Sequence, residues 1–504
     1  MGNDSIHNII DKEKLFYMGF LVTDTDVDDS QYPFYGTWIK KKIGIYTILH
    51  HPKQHCFICG NKMLIGHAYN PFTMESDESI ILQSMNAEQL NQLTGIFTLF
   101  EFSDKKIKIY GDATCMQSTF YGVINGNCYI SSHPNLIGDL LGLRWDNYIK
   151  ELVEYRFFKL FGMQLPGNLS EYKEIKRLIP NYCIEITDGK VYEKRFHLPH
   201  SYRISNDEIV NNVSTLLHNN LKLISKKWKK PAISLTGGCD SKTTLACANG
   251  LLDKFNYFSY VSSDEEKVDA DAAAKICKSL GINHQIYYIP ANDNELDNLD
   301  ETRKIIDNNC GNMWSNNAND IRKRAWFAKN DLFDVEVKSW ASEIGRSYYS
   351  KRFYGRKNFG KKPTPRKCST MYKVFFTNRK LLRKTDKVFA YYISNYFRQP
   401  EENALPWQEQ FFWEFRVAAW NGLVITHEHR YSYDITIPYN NRIIIENLLS
   451  ASLEDRINDS IYKAIRTKMN PAVDAANISV QNVKHTSKRA LAEDLYYIIN
   501  THII

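Results

Sequence analysis

The sequence predicts an α/β protein in two parts, a strand-rich first part and a second built on a doubly wound parallel sheet. Three observations carry this. The run Pro231-Ala232-Ile233-Ser234-Leu235 is short and apolar and breaks at Thr236-Gly237-Gly238-Cys239-Asp240-Ser241. Beyond it Thr244, Leu245, Ala248, Leu251 and Leu252 fall at helical spacing. The order then repeats: a strand over 257–261, a loop over 262–266, a helix over 267–280 closed by Gly281, and a strand over 284–289. Strands alternating with amphipathic helices imply a parallel sheet. Residues 15–200, in contrast, read as short strands separated by turn residues.

In chain order, 95–102 is a strand, Ser103-Asp104 a turn, and 106–110 alternates as a second strand. Gly111-Asp112-Ala113 turns again, and 120–123 with 128–130 forms a further hairpin. Leu136, Leu140, Leu141, Leu152 and Phe157 show helical spacing, and 178–186 reaches another turn at Asp188-Gly189. Residues 196–206 lack periodicity and read as a linker, followed by a helix over 207–227. A strand over 334–340 leads into Ala341-Ser342-Glu343-Ile344-Gly345-Arg346-Ser347-Tyr348. Residues 371–504 are helical and rich in aromatics, with a strand-like stretch at 434–438.

Composition excludes several classes. A chain of 504 residues with 43% hydrophobic and 13% aromatic residues can bury large cores in two or three domains. A net charge of +7 is mild for this size and argues for neither a nucleic-acid nor a membrane partner. No apolar run approaches the roughly 18 residues needed for a membrane span. The first residues lack a signal peptide, and Ile6 breaks the myristoylation pattern. Ten cysteines without framework spacing fit reduced thiols. The expectation is a soluble cytoplasmic protein.

Three side features have competing readings. Cys56 and Cys59 lie near His50, His51 and His55, a zinc-like set. His55 beside Cys56 cannot easily share one site, and core cysteines beside surface histidines is the reading preferred. His427 and His429 around Glu428 are too few for a metal and read as surface residues. Residues 351–367 hold eight basic side chains and no acid, which suits a mobile lid, a patch for an acidic partner, or a solvated loop.

The chemistry concentrates at 234–241. Glycines let backbone approach a phosphate, and a helix N-terminus favours negative charge. Asp240 would repel such a ligand unless it holds Mg²⁺ against the phosphates. No Gly-Lys-Ser/Thr follows, so this is not a Walker A loop. Ser234, Thr236, Gly237, Gly238, Asp240 and Ser241 are the candidate nucleotide residues. Ser263 and Asp264, at the end of the next strand, would face them.

Thr236, Gly237, Gly238, Asp240 and Ser241 resemble the Ser-Gly-Gly-x-Asp-Ser mark of the PP-loop ATP pyrophosphatases, which release AMP and pyrophosphate. Gly95, Phe97, Asp112 and Tyr121 are similar to the glutaminase-type domain of asparagine synthetases (class B), which implies an Ntn-hydrolase-like α+β domain over 1–200 and a PP-loop domain over 205–504. That family's glutaminase uses a cysteine at residue 2; here it is Gly2. Glu343 and Tyr348 match a family turn whose neighbouring aspartate is replaced by Ser342. A C-terminal family lysine corresponds to Lys484, with Lys488 close behind.

The resemblance implies an ATP- and Mg²⁺-dependent amide-forming ligase that activates a carboxylate as an acyl-adenylate. Glu343 and Lys484 would be catalytic, and Asp240 the metal ligand. Nitrogen would come from ammonia or an acceptor amine. Lasso or β-lactam peptide cyclases and sugar-acid amidating enzymes are candidate types, with a small-molecule or peptide substrate and a homodimer as possible assembly. An ATP-binding pseudoenzyme and a PP-loop RNA-modifying enzyme are the alternatives.

Overall fold

Apolar residues in the first part alternate with period two, and each alternate set meets a different layer. In β1 (Phe20–Thr23), Phe20 and Val22 face a core between two sheets, while Leu21 faces helices. The following strands are β2 (Ile39–Ile43), β3 (Tyr46–His50), β4 (Cys56–Cys59), β5 (Lys62–Tyr69), β6 (Thr94–Ser103), β7 (Lys106–Gly111), β8 (Phe120–Ile124), β9 (Asn127–Ser131), β10 (Lys176–Arg177), β11 (Tyr182–Thr187) and β12 (Lys190–Arg195). They form two antiparallel six-stranded sheets, ordered β10-β8-β9-β1-β3-β2 and β12-β11-β7-β6-β5-β4. Between them pack Phe20, Val22, Ile48 and Ile130 from one sheet and Met63, Ile65, Phe100 and Ile109 from the other.

Outside, Ile81 and Leu82 of helix Glu78–Ser84 cover Leu64 and Phe97. Helices Pro134–Leu141 and Asn147–Glu154 cover Leu21, Leu49 and Phe120. The result is a helix–sheet–sheet–helix sandwich, the α+β layering expected. The helical pattern over 135–160 resolves into two helices because Gly142 takes φ +60 and ends the first.

The computed structural model describes residues 11–34, 36–86, 88–158, 163–314, 317–373, 377–397, 405–475 and 487–503. Its second part is a parallel sheet of β13 (Pro231–Ser234), β14 (Asn256–Val261), β15 (His284–Tyr288), β16 (Val335–Val337) and β17 (Asp434–Thr436), ordered β15-β14-β13-β16-β17. Helix Asn206–Lys227 precedes it, opened by a capping box between Ser205 and Glu208. Helices Cys239–Cys247 and Asp264–Ser279 are the crossovers.

The two parts share a core. Tyr69, Ile96, Met116 and Tyr182 pack in one cluster with Ile233, Trp413 and Ile435. Arg442, fully buried, donates to Asn181 Oδ1 (2.8 Å) and to the Gly111 carbonyl (3.0 Å), and Arg195 pairs with Glu414 at 2.6 Å.

Several expectations change. Residues 196–202 are not a free linker, since His197 Nε2 lies 2.7 Å from Glu446 Oε1 and Tyr202 donates to the same carboxylate at 3.0 Å. His50, His51, His427 and His429 are buried rather than on the surface: His51 packs against Tyr17 and Trp38, His427 Nε2 lies 2.8 Å from Ser118 Oγ, and His429 packs on Trp340. In the basic stretch, Lys351, Arg352, Arg356 and Arg366 pair with Asp459, Glu493, Asp494 and Asp386, and Lys367 donates to the Phe359 carbonyl. Lys357, Lys361 and Lys362 stay exposed. The stretch runs from the end of helix Tyr348–Arg352 to the start of helix Pro365–Tyr372, with a tethered loop between them.

Candidate functional site

The chain leaves β13 towards β14 and β15 and returns to β16 on β13's other side. Connections that diverge from neighbouring parallel strands leave a crevice at their carboxyl ends, where ligands of such sheets bind. Here that crevice lies between the residues after Ser234 and those after Val337. Thr244 Oγ1 and Ser339 Oγ, 2.7 Å apart, tie its two walls together.

On the β13 side, Gly238 precedes helix Cys239–Cys247, and no side chain caps that helix. Its first N–H groups therefore keep the positive end of the helix dipole available. The turn is closed on itself. Thr236 Oγ1 lies 3.1 Å from Ser241 Oγ, the Gly238 N–H donates to Thr236 Oγ1 (3.1 Å), and the Ser241 hydroxyl donates to the Thr236 carbonyl (3.0 Å). The Gly237 N–H donates to Asp269 Oδ1 at 3.3 Å. Asp269 is a residue the sequence did not mark; its helical position, one turn beyond Ser263-Asp264, was the only signal.

On the β16 side, Ala341 (φ +68) and Ser347 (φ +50) bracket the tight turn Ser342–Arg346. Two non-glycine residues in the left-handed region are a concentration of strain typical of functional segments. Gly345 is required by close packing: a Cβ there would lie 2.6 Å from Leu448 Cβ and 2.8 Å from Tyr462 Oη.

This turn meets Asp240. Ser342 Oγ lies 2.8 Å from Asp240 Oδ1, and Arg346 Nη1 lies 2.6 Å from Asp240 Oδ2. Arg346 also grips Asp459 through Nε (2.9 Å) and Nη2 (2.8 Å). Asp240, expected to hold Mg²⁺, thus has one oxygen against a hydroxyl and the other against a guanidinium. Among the described residues no group of three or more His, Cys, Asp or Glu side chains could hold a metal. Mg²⁺ needs near-octahedral oxygen ligands at about 2.0–2.1 Å. A guanidinium already bridging Asp240 and Asp459 does not leave that geometry, so these residues do not fit a Mg²⁺ held by the protein.

A cavity of about 370 Å³ opens beside the same turn, lined among others by Ala341, Glu343, Tyr348, Arg416, Trp420 and His429. Most of its charges are matched. Lys323 pairs with Glu266 (2.9 Å) and Asp320 (2.8 Å), Arg324 with Glu428 (3.3 Å), and Lys338 with Glu336 (2.5 Å). Glu343 and Arg416 are left with no hydrogen bond or ion pair among the described residues. Glu343 keeps contact with solvent through the chamber, yet protein surrounds it. Burial and the neighbouring Asp240 charge raise its carboxyl above the ordinary range, against Arg346, Arg416 and Lys351. Burial pushes the Tyr348 phenol up, but Arg352 and Arg416 outweigh it and leave it below its usual value.

The structure therefore brings Thr236, Gly237, Gly238, Asp240 and Ser241 together with Ser342 and places Glu343 on the same turn. Ser234 ends β13 below them. Ser263 is instead the cap of helix Asp264–Ser279, accepting from the Glu266 N–H, and no hydrogen bond or ion pair links Ser263 or Asp264 to the 236–241 turn. Gly2 and Lys484 lie outside the described residues; Lys488 is exposed on helix Ser487–Ile498. Arg346 and Arg416 were missed, the first as one more polar turn residue, the second at the end of the aromatic run Phe411-Phe412-Trp413-Glu414-Phe415-Arg416.

No family model and no curated protein matches the chain. Among solved structures, it is similar to the allosteric regulatory enzyme of purine biosynthesis, at 11% identity and TM-score 0.23 over 54% of this chain and 60% of that one. It is also similar to a glutamine phosphoribosylpyrophosphate amidotransferase from B. subtilis, complexed with ADP and GMP, at 12% identity and TM-score 0.22 over 56% and 61%. A glutamine-dependent NAD+ synthetase from Acinetobacter baumannii, in complex with ADP, matches at 16% identity and TM-score 0.20 over 35% and 32%. The chain thus spans about three fifths of the first two proteins, and overlaps this slight carry no argument about activity.

Proposed function

We propose that the chain is an ATP-dependent carbon–nitrogen ligase. The 236–241 turn receives the phosphates of the nucleotide, and the chamber receives the carboxylate to be activated as an acyl-adenylate. One observation supports this above the others: a single strained turn contributes Ser342 and Arg346 to Asp240 on the phosphate side, and Ala341 and Glu343 to the chamber. A phosphate at the turn would meet the N-terminus of helix Cys239–Cys247 and the Arg346 guanidinium. Glu343, its affinity for a proton raised, suits the role of taking a proton from an attacking amine. Lys484 remains a proposed donor to the acyl oxygen. Residues 1–200 and 205–504 are proposed as the two domains. In the first, burial pushes the thiols of Cys56, Cys115, Cys128 and Cys183 up, so none of these is an activated nucleophile. The nitrogen donor is proposed to be ammonia or an amine, and a peptide cyclase or sugar-acid amidating enzyme fits.

A second reading, a nucleotide-binding protein without turnover, is favoured by the Arg346–Asp240 pair, which occupies the expected metal ligand. The RNA-modifying reading is weakened, because five of the eight basic side chains of 351–367 are engaged within the chain and only Lys357, Lys361 and Lys362 stay exposed.

Chromatographic analysis of nucleotides after incubation with ATP and panels of carboxylates and amines tests the proposal. AMP and pyrophosphate are expected. ADP as sole product overturns it, and nucleotide binding without any cleavage selects the second reading.

A further inference from the structure

We infer that the chamber beside Glu343 is a binding site for a monocarboxylate with a flat, apolar body, its carboxylate held by Arg416. The inference deepens the ligase reading by naming the substrate class, and rests on it only for the ligand's place in a reaction.

Arg416 is 7% exposed, and its Nη1 is buried without a hydrogen-bond partner. Buried charges are ordinarily paired, because removing them from water is costly. The other cations of this chamber obey that rule, each facing its own acid. Lys323 and Lys338 also lie over rings, Tyr260 at 4.9 Å and Trp340 at 5.5 Å, but each keeps its acid, whereas Arg416 has only its ring contact, 4.1 Å over Trp420. That contact holds the guanidinium plane in one orientation, and a guanidinium fork matches a carboxylate through two parallel hydrogen bonds.

The walls choose the rest of the ligand. Trp340, Tyr348, Phe412 and Trp420 line the same space, and its volume is that of a small-molecule pocket. The π-helical stretch Phe412–Ile425 makes this possible. Its i→i+5 turns are wider than those of an α-helix, so Phe412, Arg416, Val417, Trp420, Asn421 and Ile425 recur along the chamber at every fourth or fifth position. A polyanion is selected against. Among the described lining residues only Arg416 is a cation without an acid at ion-pair distance, and the carboxylates of Asp320, Glu343 and Glu428 would repel further negative charge.

The test is isothermal titration of the full chain, without nucleotide, with benzoate, phenylacetate and indole-3-acetate, each beside its neutral amide, and with pyrophosphate. At least one acid is expected to bind at millimolar concentration or better and at least tenfold more tightly than its amide, with pyrophosphate failing to displace it. Arg416→Gln should abolish the preference for acid over amide, and Arg416→Lys should retain part of it; circular dichroism confirms the fold of each. Should Arg416→Gln not fold, Trp420→Leu, which frees the guanidinium to rotate, is expected to weaken the acid several-fold and the amide less. Equal binding of acids and amides, no binding by any acid, or displacement by pyrophosphate overturns the assignment. Acid binding with no AMP formation would leave this site standing and sink the ligase reading. AMP formation without the acid preference would do the reverse.

Discussion

Arg346 has two carboxylates to satisfy, and its guanidinium meets both at once. Side chains about a quarter exposed at Asp240 and Asp459 place these pairs between surface pairs, which contribute little, and fully buried ones, which are costly to break. Replacing Arg346 by Met leaves two carboxylates facing a space without its cation, with only Lys351 remaining on Asp459. The variant should lose about 2 kcal/mol in denaturant unfolding near neutral pH. It should also gain a divalent site, because two nearby oxygen donors then suit a hard cation. Electron paramagnetic resonance of added Mn²⁺ reads this directly. Wild-type binding as tight as the variant's would show that Arg346 does not keep the metal out.

At the scale of elements, the segment 196–202 is docked by one carboxylate. Glu446, on helix Arg442–Ser450, takes bonds from His197, His200 and Tyr202. Burial would raise its carboxyl, but the two histidines hold it down, from 4.5 to about 2. The shift corresponds to about 3 kcal/mol. Because the folded pKa is depressed, this stability is present above the unfolded value and is lost as pH falls from about 4.5 towards 2. His200 moves the opposite way, raised by its bond to Glu446. Its share is complete below an unfolded pKa of about 6.5 and is lost as pH rises through its folded value. Glu446→Gln should therefore cost about 2–3 kcal/mol at pH 6 and much less at pH 2.5. Denaturant titrations at the two pH values check this, and a constant cost would assign the effect to packing. Asp112 plays a comparable role at the corner after β7, accepting from the N–H groups of Phe97, Thr114, Met116 and Gln117 and from Asn440 Nδ2.

For the whole molecule, the antiparallel sandwich and the parallel sheet are one unit energetically. Their residues mix in the largest apolar cluster, and fully buried Arg442 bonds across from the second part to the first. Separate domains are expected to melt separately when their interface is small and polar. Here calorimetry should show a single transition, and residues 1–200 expressed alone should remain unfolded, since Ile96, Met116 and Tyr182 would lose their partners. Two well-separated transitions would contradict the shared core.

Local pattern alone determined much of this protein. The alternation over 95–110 marked β6 and β7, and the glycine turn between an apolar run and a helical one marked β13 and its phosphate-facing loop. Those signals are legible because period and turn chemistry act between near neighbours in the chain. The extra helical turn after Ser263 was not, since Ser262 and Ser263 bond to the side chain and N–H of Glu266 and so extend the helix into an expected loop. Tertiary structure alone decided the rest. It set Arg346 against Asp240 across 106 positions of sequence, buried four histidines expected at the surface, and tied a basic stretch to acids more than a hundred residues on. Which charge meets which is set by distance in space, and only the packing of the two sheets and their helices fixes that distance. Arg416 shows the difference most plainly, because its neighbours in sequence made it core and its neighbours in space left it unpaired in a chamber.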